Sequence, residues 1–86
     1  MIKLQLIKTE GCSHCAQVKE ILAKLKPEFP DLQVEEVLMT TEKGMNLVQK
    51  YSIMSSPGII INDKLAFTGG ATEVQIRQAL KEVKKL

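Results

Sequence analysis

Two cysteines and the only histidine of this 86-residue chain lie close together, in the run Cys12, Ser13, His14 and Cys15. Two thiols at this spacing support two kinds of chemistry, because thiolates both exchange with disulfides and bind soft metal ions. At the start of a helix, such a pair can close a disulfide across one turn, with the first cysteine exposed and the second behind it. The motif therefore predicts a reactive site.

The cysteine motif stands between a predicted strand and a predicted helix. Alternating apolar residues predict a strand over Ile2–Lys8, covered on both faces because Ile7 is apolar as well. An i, i+3, i+4, i+7 stripe predicts a helix over about residues 12–26, formed by Val18, Ile21, Leu22 and Leu25. The first turn of a helix has free N–H groups and a positive dipole end, and both stabilise an anion. We therefore expect the pKa of the Cys12 thiol to lie below its ordinary value.

These features assign a chemical role to each residue of the motif. Cys12 is the predicted nucleophile of thiol–disulfide exchange, and Cys15 is predicted to resolve the mixed disulfide. His14, when protonated, would favour the Cys12 thiolate and hence the reduced form. Because a stabilised reduced form makes a dithiol couple more oxidising, we expect His14 to raise the reduction potential.

The middle of the chain predicts an edge strand followed by a short helix. The strand spans Leu32–Leu38, where Glu35 and Glu36 supply the charge that is common on sheet edges. Thr40 or Thr41 then caps a helix that reaches about residue 51. Its predicted inner face consists of Met45, Val48 and Tyr51.

The last third of the chain predicts a hairpin and a closing helix. The β-branched run Ile59, Ile60 and Ile61 is typical of a buried strand, and Asn62 and Asp63 predict a tight turn into the next strand. Gly69 and Gly70 then break the chain, and Thr72 with Gln75 forms a capping box for the last helix. The predicted order is βαβαββα, an α/β fold with three helices and a four-stranded mixed sheet.

Length and composition limit the possible classes of protein. The chain is predicted to be one domain over residues 1–86, with an aliphatic core, since aromatic residues make up only 3%. A net charge of +2 with so few aromatic residues argues against a nucleic-acid binder. No apolar run reaches the roughly 20 residues of a membrane helix, and the start does not resemble a signal peptide. We expect a cytoplasmic monomer.

Two other uses of the cysteines remain open on this reasoning. A structural disulfide is disfavoured, because a four-residue loop removes little entropy from the unfolded chain and the cytoplasm is reducing. Binding of copper or zinc is the stronger alternative, with His14 as a third ligand on a ferredoxin-like sheet. A closed zinc site needs four ligands, and the chain has no further cysteine or histidine. The predicted closing helix also favours the redox interpretation over the ferredoxin-like one.

The cysteine motif, together with Ser55, Ser56 and Pro57 before an apolar strand, resembles the thioredoxin superfamily, in particular its small thioredoxin-like and glutaredoxin-like members. The resemblance covers nearly the whole chain and implies a thioredoxin fold with a redox-active disulfide and no other cofactor. It also implies that Pro57 is cis and lies beside the disulfide, and that Ser56 offers its backbone to a client protein. Gly69, Gly70 and Thr72 correspond to a glutathione-binding region of glutaredoxins.

The resemblance also implies partners, and the chain differs from the family pattern at two positions. Disulfide-containing clients are expected, with a flavin-dependent reductase or glutathione as the electron source. Gly11 stands where thioredoxins usually carry an aromatic residue, and Leu6 stands where they carry a buried acid. Proton transfer at Cys15 therefore lacks its usual carboxylate. Lys8 and Glu10 are the ionisable residues near the motif that could assist it, but the sequence does not determine where their side chains lie.

Overall fold

The computed structural model describes residues 2–85, which form one sheet flanked by three helices. The strands are β1 (Ile2–Lys8), β2 (Leu32–Leu38), β3 (Gly58–Ile61) and β4 (Lys64–Thr68). The helices are α1 (Ser13–Leu25), α2 (Glu42–Tyr51) and α3 (Glu73–Lys85). The sheet order is β2-β1-β3-β4, with β1 parallel to β2 and antiparallel to β3, and β3 antiparallel to β4. The predicted α/β fold with its mixed sheet is confirmed.

Side-chain alternation along the two inner strands divides the core into two layers. On one face, apolar residues of β1 and β3 pack against α1 and α3; this cluster includes Leu4, Leu6, Ile59, Val18, Leu22, Ile76 and Leu80. On the other face, Ile7 and Ile60 pack with Val37 and Ile53 beneath α2. Successive residues of β1 and β3 point to opposite faces of the sheet, and both faces are covered by helices. This explains why the two strands are apolar almost throughout.

The packing of α2 differs from the prediction in one residue. Val48 and Tyr51 pack on the sheet as predicted, but Met45 is 52% exposed and Leu47 packs against the core in its place. The prediction for Met45 was wrong because the period of a helix leaves two neighbouring stripes possible, and the packing against β2 selects the one with Leu47.

A glycine lets the first turn of α2 approach β2 closely. Thr41 caps the helix, accepting a hydrogen bond from the Gly44 N–H at 3.0 Å. A Cβ on Gly44 would overlap the carbonyl oxygen of Leu38 and lie 2.9 Å from the Cα of Met39. Gly44 is therefore a packing requirement and not merely a weak helix former.

The turns and caps that lead into the last elements follow their sequence signals. Asn62 and Asp63 both have positive φ, 48° and 64°, as a two-residue hairpin turn requires. At the start of α3 the Gln75 side chain accepts from the Thr72 N–H at 2.9 Å, and the Gln75 N–H donates to the Thr72 hydroxyl at 3.2 Å. This is the reciprocal capping box that the sequence predicts.

Candidate active site

The two cysteines form a disulfide at the start of α1. Cys12 is the N-cap residue with an extended backbone, and Cys15 lies in the first turn of the helix, so their Cα atoms are 5.3 Å apart. The Cys15 N–H donates to the Cys12 sulfur at 3.1 Å. Cys12 is half-buried, whereas Cys15 is only 4% exposed. The sulfur of Cys12 is thus the more accessible one, and it receives one of the free N–H groups of the helix start.

The loop before β3 brings a hydroxyl to the accessible sulfur. The Ser56–Pro57 peptide bond is cis, as the resemblance implies, and Pro57 is fully buried. The Ser56 hydroxyl oxygen lies 3.8 Å from the Cys12 sulfur and 3.4 Å from the Thr9 hydroxyl oxygen. The structure therefore brings Ser56 to Cys12 through its side chain, and it adds Thr9, which the sequence did not single out.

A cavity of about 520 Å³ lies on the β2 side of the disulfide. Both cysteines line it, together with charged residues of three elements and of the loop after β1: Lys8, Lys19, Glu36 and Glu10. Within it the Lys8 ammonium donates to Glu36 Oε1 at 2.6 Å, and Lys19 approaches the same oxygen at 3.6 Å. The hydrogen bond from Lys8 lowers the pKa of Glu36, which therefore stays an anion at neutral pH.

Glu36 supplies a carboxylate near the place where the sequence lacks one. In the β1–β2 register Glu36 is the partner of Leu6, the residue that departs from the family pattern. Its side chain shares the cavity with Cys15. Sequence reasoning read Glu36 only as edge-strand charge, because its distance from the cysteines depends on how β2 aligns with β1.

The other predicted residues meet in a second depression, of about 310 Å³, on the α3 side of α1. Its lining includes His14, Gly69, Gly70 and Thr72 but neither cysteine. The two glycines have positive φ, 79° and 114°, so the backbone alone explains their presence there. The N–H and hydroxyl of Thr72 are engaged in the capping box, so an anion bound here would compete with Gln75. This depression lacks the cysteines, but the Gly69 N–H donates to the Pro57 carbonyl at 2.9 Å, so it adjoins the loop that carries Ser56.

A metal ion and a membrane-spanning helix both have specific structural requirements. Within residues 2–85, no group of three or more His, Cys, Asp and Glu side chains is arranged to hold a metal ion. None of the helices in this part of the chain is long and apolar enough to cross a membrane.

Comparison with known protein families agrees with this geometry. A family model described as a thioredoxin domain matches residues 2–81. A thioredoxin of Methanocaldococcus jannaschii is 28% identical over 81 residues, which is 94% of each chain. A probable thioredoxin of Archaeoglobus fulgidus is 25% identical and covers 98% of this chain and 91% of its own.

Solved structures show the same fold at lower sequence identity. A thioredoxin-like protein from Clostridium perfringens superposes with a TM-score of 0.81 at 19% identity, covering 95% of this chain and 70% of its own. Oxidised thioredoxin O2 from Arabidopsis thaliana gives 0.76 at 13% identity, covering 96% and 75%. The fold, the disulfide at the start of α1 and the family match lead to one conclusion: the chain belongs to the thioredoxin superfamily and has a thiol–disulfide redox function.

Proposed function

We propose that the protein transfers electrons from a Cys12–Cys15 dithiol to disulfides of client proteins. The observation that carries this proposal is the contrast between the two cysteines. Cys12 is accessible and receives the Cys15 N–H, whereas Cys15 is buried one turn behind it. A half-exposed thiolate stabilised by a helix start is a good nucleophile, and a buried neighbour is suited to react only within the complex.

The reaction balances in two exchange steps. The Cys12 thiolate attacks one sulfur of the client disulfide, a mixed disulfide forms, and the other client sulfur leaves as a thiolate. Cys15 then loses its proton and attacks the Cys12 sulfur, which closes the Cys12–Cys15 disulfide and releases the second client thiolate. Two electrons pass from the dithiol to the client.

The loop before Pro57 is the proposed binding place of the client. Ser56 adjoins the Cys12 sulfur, and its backbone would pair with an extended client segment as a short sheet edge. Met54, two residues earlier, is 90% exposed and offers a flexible apolar contact beside that segment. In this proposal Pro57 shapes the loop and His14 adjusts the potential from the neighbouring depression.

A flavin-dependent reductase is the proposed electron source, ahead of glutathione. The region with Gly69, Gly70 and Thr72 would have to receive glutathione, and the capping box already uses the Thr72 donor and hydroxyl. We further propose that the protein works as a monomer in the cytoplasm, where a reactive cysteine pair is kept available for catalysis.

The test is a coupled assay with insulin as the disulfide substrate. The oxidised protein is supplied with NADPH and a flavin-dependent thioredoxin reductase in one arm, and with glutathione, glutathione reductase and NADPH in the other. We expect insulin reduction in the first arm and at least tenfold slower reduction in the second. Faster reduction with glutathione would overturn the choice of donor, and no reduction by the chemically prepared dithiol would overturn the function.

A further inference from the structure

Side chains from two loops meet near the accessible sulfur. Thr9 and Cys12 lie in the loop between β1 and α1, and Ser56 lies in the loop before β3. The Ser56 hydroxyl oxygen lies between the other two, 3.4 Å from the Thr9 hydroxyl oxygen and 3.8 Å from the Cys12 sulfur. All three residues are half-buried, so water competes only in part for these contacts. Which group donates the hydrogen in each contact follows from the chemistry of the groups.

The disulfide fixes which group donates. A disulfide sulfur carries no hydrogen, so in the Ser56–Cys12 contact the Ser56 hydroxyl must be the donor. That hydroxyl has a single hydrogen, so when it donates to the sulfur its oxygen accepts from the Thr9 hydroxyl. The result is an ordered chain in which Thr9 donates to Ser56 and Ser56 donates to the sulfur. Each bond in such a chain polarises the next.

We propose that Ser56 is a further catalytic residue, whose hydroxyl stabilises the Cys12 thiolate, and that Thr9 is the positioning residue that orients it. This inference deepens the proposed function and rests on Cys12 being the nucleophile. When a dithiol electron donor reduces the disulfide, its first thiolate forms a mixed disulfide with Cys12 and Cys15 leaves as a thiolate. Its second thiolate then closes the donor's own disulfide, and the Cys12 sulfur leaves as a thiolate within reach of the Ser56 hydroxyl. A donor to a charged acceptor forms a shorter and stronger bond than a donor to a neutral one. The hydroxyl hydrogen stays on Ser56 throughout.

The Ser56 hydroxyl acts beside other groups that face Cys12. The Cys15 N–H donates to the same sulfur. Four ionisable residues line the same cavity as Cys12: Lys8, Glu10, Lys19 and Glu36. His14 is two residues from Cys12 but lines the neighbouring depression. A Ser56→Ala substitution leaves all of these in place, so its effect on the titration of Cys12 isolates the hydroxyl.

The test measures alkylation of Cys12 by iodoacetamide as a function of pH, in a Cys15→Ala background where Cys12 is the sole thiol. We expect Ser56→Ala to move the midpoint of the rate profile to higher pH and to lower the rate below the midpoint about tenfold. A factor of ten corresponds to about 1.4 kcal/mol, close to the usual net value of a hydrogen bond to a charged group. Ser56→Thr, which keeps a hydroxyl, should retain the original midpoint.

Three further variants separate the hydroxyl chain from general disturbance of the loop. Ser55→Ala removes an exposed neighbouring hydroxyl and should leave the midpoint unchanged. Thr9→Val should also move the midpoint to higher pH, but it should lower the alkylation rate below the midpoint only about threefold. Thr9→Ser, which keeps the hydroxyl, should leave the midpoint unchanged. If Ser56→Ala fails to fold by circular dichroism, the Thr9 pair decides the question.

The outcomes are distinct from those of the proposed function. An unchanged midpoint in Ser56→Ala, or in Thr9→Val where that pair decides, would overturn the role of Ser56, as would an equal shift in Ser55→Ala. Alkylation needs no disulfide substrate, so a shifted midpoint in a protein that does not reduce insulin would contradict the oxidoreductase and leave the hydrogen bond established. Insulin reduction with an unchanged midpoint would support the oxidoreductase and overturn the role of Ser56.

Discussion

The backbone N–H of Cys15 points at the sulfur of Cys12, at a distance of 3.1 Å. The residue that is to resolve a mixed disulfide thus also stabilises the nucleophile that forms it, through its main chain. This arrangement follows from placing the first cysteine at the N-cap and the second in the first turn, where N–H groups have no partner within the helix. It makes the two thiols chemically unequal although they are three residues apart.

The first prediction concerns that inequality. In the fully reduced protein at pH about 7, we expect iodoacetamide to modify Cys12 at least tenfold faster than Cys15, because only Cys12 is both accessible and stabilised as a thiolate. Peptide mapping by mass spectrometry after brief exposure measures the two rates separately. Equal rates in the folded protein, with the urea-unfolded protein as the reference for intrinsic reactivity, would contradict the assignment.

A second prediction concerns His14. We expect His14→Ala to make the Cys12–Cys15 couple more reducing by about 10–20 mV, since an exposed charge interaction of 0.5–1 kcal/mol corresponds to that shift for two electrons. Equilibration with a glutathione buffer at pH about 6 measures the potential. Gln17→Ala, on the same depression, serves as the control. A potential that stays constant or rises in His14→Ala would remove His14 from the redox chemistry.

A third prediction concerns the ion pair between Lys8 and Glu36. Lys8 lowers the pKa of Glu36 in the folded state, chiefly by its hydrogen bond, with a further contribution from Lys19. A folded-state pKa below the unfolded one stabilises the protein above the ordinary value of 4.5, and this stabilisation is lost as pH falls through the folded pKa. The ion pair is partly exposed, so we expect it to contribute at most about 1 kcal/mol to the free energy of unfolding.

Urea unfolding at several pH values measures this effect. Wild type should be more stable than Glu36→Gln at pH 7, and the difference should be smaller at about pH 3, because Glu36 loses its charge as the pH falls below 4.5 and through the lowered folded-state pKa. Glu20→Gln, on the exposed side of α1, is the matched control and should show little difference at either pH. A Glu36→Gln deficit of the same size at both pH values would mean that packing, not charge, holds Glu36 in place.

A fourth prediction concerns the contact between α2 and β2. Alanine is the better helix former by about 1 kcal/mol, yet Gly44→Ala should destabilise the protein by about 1–3 kcal/mol, because the added methyl group would overlap the Leu38 carbonyl. Asn46→Ala, at an exposed position of the same helix, should change stability by less than about 0.5 kcal/mol. Gly44→Ala matching wild type in thermal and urea unfolding would show that α2 moves freely relative to β2.

Local sequence signals predicted most of the scaffold and part of the site. The bounds of β1 and β2 and the start of α1 follow from apolar spacing, and the capping box at Thr72 and Gln75 forms with both of its hydrogen bonds. The Cys12–Cys15 disulfide follows from the spacing of the two cysteines at the start of a helix. These features depend on residues close together in the chain, so a sequence carries them directly.

The remaining features depend on which distant residues the fold brings together. Thr9 and Ser56 are 47 residues apart, and the contact of their hydroxyls depends on the antiparallel pairing of β1 with β3. Glu36 reaches the cysteine cavity only through the β1–β2 register. The choice between Met45 and Leu47 depends on how α2 rotates onto the sheet. In each case a local pattern was compatible with more than one arrangement.

The most direct test of the central claim is trapping of the mixed disulfide. Cys15→Ser, reduced and mixed with insulin, should accumulate a covalent adduct on Cys12 that dithiothreitol releases, because the resolving thiol is absent. Cys12→Ser should form little adduct, since Cys15 is buried. Mass spectrometry of the adduct peptides identifies the linked cysteine. A stable adduct on Cys12 in the first variant is the predicted result; no adduct there, or an equal adduct on Cys15 in the second, would contradict the account.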